Sequence, residues 1–168
     1  TLLHDETIRP YARIAGLFTL LFAQPLSAIT GMHTDQITLR ANGEVTVRFA
    51  DTPVPMPPIL DALIRNHLNR LAPPPTRHDH AWLFPGRSPG HHLVTESFRA
   101  ELVKHGIHPG TSRNAALFGL AAELPAPVLA DLIGVADKTA TKWAALAGRH
   151  WSAYIPARRT HNPANKNS

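Results

Sequence analysis

The chain has 168 residues, 43 % of them apolar, which is enough for one domain with a single core, or one domain plus a tail. It holds no cysteine; that excludes disulfides, thiolate zinc sites and cysteine nucleophiles, and is compatible with a reducing cytoplasm, the expected location. The net charge of +5 is lopsided, because residues 1–137 carry 11 bases against 12 acids while everything from Lys138 onward is basic and free of acids; such an end favours a polyanion or forms a solvated tail.

Thr1 opens the chain without a methionine or a basic leader, so the expectation is a fragment of a longer protein with no signal peptide. The longest apolar run, Ile14 to Ala23, is about half of the ~20 residues that cross a bilayer. It predicts a buried core helix and no membrane partner. That helix is predicted over His4 to Ala23, with Asp5 and Glu6 in its first turn, Pro10 near its start and an end before Pro25. "LSAITGMHTD" then supplies a short helical turn and a loop.

Alternation of Ile37 and Leu39, and of Val45, Val47 and Phe49, around "ANG" predicts a β-hairpin. A two-residue Asn42-Gly43 turn would set the two apolar series on opposite faces. A three-residue loop, Ala41 to Gly43 with Gly43 left-handed, pairs Leu39 with Val45 and Ile37 with Val47 instead. "TPVPM" adds a short edge strand, where proline is tolerated.

Helices fill the remainder. "PPILDALIRNHLNRLA" carries a helical apolar stripe, and a loop from Pro73 to about His92 is anchored by Trp82, Leu83 and Phe84. "TESFRAELVKHG" is predicted to take Thr95 as N-cap and to close on Gly106. "TSRNAALFGLAAE" forms the next helix, and Pro125 opens another. The predicted fold is mainly α with a small three-stranded antiparallel sheet.

Residues 126–148 have the pattern of a helix-turn-helix: Ala130 is the small residue of the first helix and Gly134 the turn. Leu129, Ile133, Val135, Ala140 and Trp143 lock the pair. Asp137, Lys138, Thr141 and Lys142 are left facing outward, where a groove or a phosphate would meet them. Any two short helices packed around a glycine turn share this pattern. The basic excess beginning on the second helix favours DNA, and the Asp137 carboxylate works against it.

Other chemistry finds little support. His78, Asp79 and His80, and the pair His91-His92, lack a third ligand at metal-binding spacing, so neither a metal nor another cofactor is expected. No phosphate loop, nucleophile elbow or zinc-protease motif is present. Tyr11, Trp82, Phe84 and Phe118 sit in apolar contexts and are expected in the core.

The order helix, "SAITGMHTDQI", hairpin, "VPMPPILDALI", "WLFPG", helix, "SRNAALFGLAAELPAPVLADLIGV" resembles the catalytic domain of tyrosine recombinases and phage-type integrases over nearly the whole chain. The resemblance implies an integrase-like catalytic-type domain over residues 1–156, with a basic polar tail over 157–168. In that family two arginines and a His or Trp neutralise the scissile phosphate, a sheet lysine protonates the leaving oxygen, and a tyrosine attacks phosphorus.

Several of those groups are replaced here. Gln24 or Pro25 stands at the first arginine, and the hairpin from Gln36 to Phe49 offers Arg40 and Arg48 but no lysine. Arg113 matches the second arginine, whereas Gly110 and Asn114 replace the flanking histidines and His108 is displaced by two positions. Val135 replaces the histidine of "LGH", and the tyrosine position falls on Trp143 or Ala144. The expectation is a DNA-binding domain without strand cleavage, acting in a larger protein or complex on double-stranded DNA. Its contacts would be Arg113, Lys138, Thr141, Lys142, Arg149, Arg158 and Arg159. Two alternatives stay open: an active recombinase with Tyr154 as a shifted nucleophile, and a module that binds itself or a partner protein through its C-terminal segment.

Overall fold

The computed structural model describes residues 2, 4–71, 81–136 and 138–148. Helix α1 (Pro10–Phe22) is the central element, burying seven of its residues from Ala12 to Thr19. It starts six residues later than expected from the sequence. A proline inside a helix would lose one hydrogen bond and clash with the preceding turn, whereas at the first position its missing N–H costs nothing. Arg9, forced toward extended backbone by the proline that follows, has ψ 138°. Asp5 and Glu6 therefore lie outside the helix, and the Asp5 carboxylate accepts the Thr7 N–H at 3.0 Å in a local turn. At the other end Ala23 is left-handed, with φ 53°, and the Gln24 N–H returns to the Phe18 carbonyl at 3.2 Å. The helix is thus closed before Pro25.

Helix α2 (Leu26–Thr30) and a 3₁₀ turn (Thr34–Gln36) lead into the sheet, in the order β1 (Ile37–Leu39), β2 (Val45–Arg48), β3 (Pro53–Pro55), all antiparallel. Ile37 pairs with Val47 and Leu39 with Val45, and Gly43 has φ 88°, as the three-residue loop requires. The proline-bearing strand β3 lies at the edge. Helix α3 (Pro58–Arg70) clamps this hairpin: the Asp61 carboxylate accepts the Val45 N–H at 2.8 Å and the Arg65 Nε–H at 2.6 Å. Arg65 also donates to the Gly43 carbonyl. These hydrogen bonds, the Arg65 side chain's first, hold the Asp61 carboxyl below its ordinary value of 3.8.

Leu83 and Phe84 are fully buried, as expected of anchors, but Trp82 is only half-buried. Its ring stacks on His33 at 4.3 Å, and its indole N–H donates to the Gly90 carbonyl at 3.0 Å. Helix α4 (Thr95–Lys104) takes Val94 as N-cap, making Thr95 its first helical residue rather than its cap. Helices α5 (Pro109–Glu123) and α6 (Ala126–Ile133) follow, and residues 138–148 form α7. Among the described residues, no helix is long and apolar enough to cross a membrane.

Two apolar clusters result. The larger joins α1, the sheet, α3 and α4, and the smaller joins Ala23, Leu117, Ala121, Leu129, Ile133, Ala140 and Ala147. Phe22 packs against both, so the end of α1 is one point where α5, α6 and α7 attach to the rest.

Candidate nucleic-acid interface

That attachment point is built from backbone carbonyls and long polar side chains. The Gln24 side chain is buried, and its amide donates to the Phe22 carbonyl at 3.0 Å and to the Ile133 carbonyl at 2.9 Å. The buried Thr19 hydroxyl donates to the Gln24 carbonyl at 3.1 Å. Arg113, in the second turn of α5, donates from Nε to the Ala23 carbonyl at 2.8 Å. Its terminal nitrogens make no hydrogen bond among the described residues. Gln24 and Arg113, far apart in the chain, are therefore brought to one junction, where both satisfy carbonyls exposed by the end of α1.

Gly134 ends α6 with φ 72° and carries the turn into α7. A Cβ there would meet the Phe49 carbonyl oxygen at 3.4 Å and the Ala50 Cβ at 3.5 Å, so the turn is pressed against the loop after β2. The Thr52 hydroxyl donates to the Asp131 carboxylate at 2.7 Å across the same contact. The lock residues anticipated from the sequence all lie in the smaller cluster: Leu129, Ile133 and Ala140 are buried, with Val135 and Trp143 packed against them. Along α7 the inward positions 140, 143, 144 and 147 recur at helical spacing. Lys138, Thr141 and Lys142 fall on the opposite, exposed side.

Next to this basic face is a feature that the sequence reading missed. Asp51 and Asp131 flank a shallow depression lined also by Pro127, Ala130, Gly134 and Ala136, with no base among its described residues. Only tertiary contact between the loop after β2 and α6 brings those carboxylates together. The two carboxylates lie on the Gly134 side of the turn and Lys138 and Lys142 on α7 beyond it. Arg40 and Arg48 of the hairpin are exposed as well. Arg149, Tyr154, Arg158 and Arg159, the 157–168 tail, Asp137 and the His78-Asp79-His80 group lie outside the described residues. Among the described residues no group of three metal-ligating side chains assembles.

No family model matches the sequence, and neither does any curated protein. Solved structures do match. A crystal structure of XerA recombinase superimposes with a TM-score of 0.61 and 13 % identity, covering 98 % of this chain and 63 % of that one. The Tn1549 transposon integrase in complex with transposon right-end DNA matches at 0.56 and 14 % identity, over 78 % of this chain and 53 % of that one. The same integrase in complex with circular intermediate DNA matches at 0.56 and 12 % identity, over 84 % and 57 %. The fold is thus that of the tyrosine recombinase and integrase domains, as the order of sequence landmarks implies. The chain spans between 53 % and 63 % of the length of these proteins.

Proposed function

We propose that the chain is a DNA-binding domain of recombinase fold that holds duplex DNA without cleaving it, within a larger DNA-processing protein or complex. The observation that carries this reading is the use made of the family's phosphate-binding positions. Gln24 is a buried joint between α1 and α6, and Pro25 beside it has no side-chain donor. Val135 and Trp143 pack in the smaller cluster. A tyrosine nucleophile needs its phosphate neutralised by preorganised donors, and of that set only Arg113 remains.

Arg113 retains its terminal nitrogens for a phosphate, and Lys138, Thr141 and Lys142 form an exposed strip on α7. In this reading Arg149, Arg158 and Arg159 supply further phosphate contacts. The integrase structures that share the fold were solved in complex with DNA, which supports duplex DNA as the ligand here. A titration with a pool of randomised 40-bp duplexes at rising salt tests it. Affinity should fall log-linearly with salt, and Lys138→Ala with Lys142→Ala should reduce the slope by about 1.8, since each lost phosphate contact removes ~0.9. Absence of duplex binding at low salt defeats the reading.

A further inference from the structure

A large cleft lies at the opposite end of α1 from the Gln24–Arg113 junction. It has a volume of about 700 Å³ and opens between the starts of α1 and α4 and the loop 84–93. Arg9, Arg87, His91 and His92 line it together with Ser88 and Ser97, and no described carboxylate does. Arg9 and Arg87 are exposed and make no ion pair among the described residues. Two guanidinium groups thus line one concave site with no described counter-charge among its lining residues, which favours an anion there.

The walls are set in advance. Loop 84–93 is a small hairpin in which the Leu93 N–H donates to the Phe84 carbonyl at 2.8 Å and the Gly86 N–H to the His91 carbonyl at 2.7 Å. Any side chain at position 86 would run into the His92 carbonyl oxygen, 2.7 Å from its Cβ. Trp82 pins the tip through Gly90, and the His92 Nδ1 donates to the Leu93 carbonyl at 2.9 Å. The first turns of both helices carry no side-chain cap.

We propose that this cleft binds a phosphate ester, gripped between the Arg9 and Arg87 guanidinium groups with hydroxyls from Ser88 and Ser97. Arginine forks match phosphate oxygens in a way that favours this anion. The volume exceeds one phosphate and suits a nucleotide-sized group. Because α1 is 13 residues long and rises ~1.5 Å per residue, the cleft is about 20 Å from the Arg113 junction. It is a separate site, and it stands whether or not the α7 face binds DNA.

The test is an amide NMR titration of the full chain with inorganic phosphate, against chloride at equal ionic strength. Saturable shifts are expected at Arg87, Ser88, His91 and Ser97, weakened about 10-fold or more by Arg9→Ala with Arg87→Ala, and unchanged by Lys138→Ala with Lys142→Ala. Shifts that chloride reproduces, or that centre elsewhere, overturn the proposal; the wild-type map decides this even if a variant misfolds. Two further arms identify the source of the phosphate, and both outcomes uphold the site. Thymidine 5′-phosphate binding more tightly than inorganic phosphate indicates a free nucleotide. Duplex affinity that drops in the Arg9/Arg87 variant, with no gain from the nucleoside, indicates a DNA backbone phosphate.

Discussion

Gln24 has both of its amide hydrogens committed to carbonyls, one of them on Ile133 at the far end of the α6 helix. Gln24→Leu keeps the volume but leaves a buried acceptor unsatisfied, which costs ~1–3 kcal/mol. Chemical denaturation should show a lowered midpoint with an unchanged slope; a variant as stable as the parent removes the joint from the account. At this scale, Gln24 or Pro25, Val135 and Trp143 or Ala144 are legible in the sequence as the positions that the resemblance sets at spaced landmarks. What they do in the fold is not legible. The partner of Gln24 is 109 positions away, and no local pattern encodes such a pairing. The cleft at Arg9 and Arg87 is hidden for the same reason, since its charges come from segments on either side of α3.

Each helix is set by how its ends are made. Pro10, Pro58 and Pro109 stand at first-turn positions of α1, α3 and α5, so the prolines that punctuate the sequence mark starts. Asp5 and Glu6 favour a helix start at His4, but Pro10 prevails because its steric cost inside a helix is larger than any dipole gain. The hairpin register was legible to the residue, since a one-residue slip would set the apolar series of the two strands on opposite faces. Its clamp gives a pH prediction. The Asp61 carboxyl is held below 3.8 mainly by the Arg65 hydrogen bond, so it contributes stability at neutral pH that is lost as pH falls through the folded value. Asp61→Asn should cost about 1–2 kcal/mol at pH 7, with the difference from the parent shrinking in melts below pH ~4. A constant difference across that range contradicts the clamp. At the turn, Gly134→Ala adds a Cβ to a left-handed residue pressed on Phe49. The expected loss is ~1–2 kcal/mol, read as a lower thermal midpoint.

Over the whole molecule, the fold class, the sheet and the order of elements were legible because each element carries its own pattern of apolar spacing and turn residues. The separation of charge was legible only in part. A basic C-terminal end is visible in the sequence, whereas the acidic depression of Asp51 and Asp131 next to α7 exists only after folding. In the proposed reading, a polyanion is held on the outward face of α7 and the Arg113 side of the junction. In the proposed function this arrangement keeps DNA in place and does not break it. One binding reaction tests that most directly: the full chain with a labelled pool of randomised 40-bp duplexes, divided between a native gel and a denaturing gel. The predicted result is a retarded, salt-sensitive band on the native gel and free DNA alone on the denaturing one. A covalent protein–DNA adduct that survives denaturant and disappears in Tyr154→Phe would contradict it.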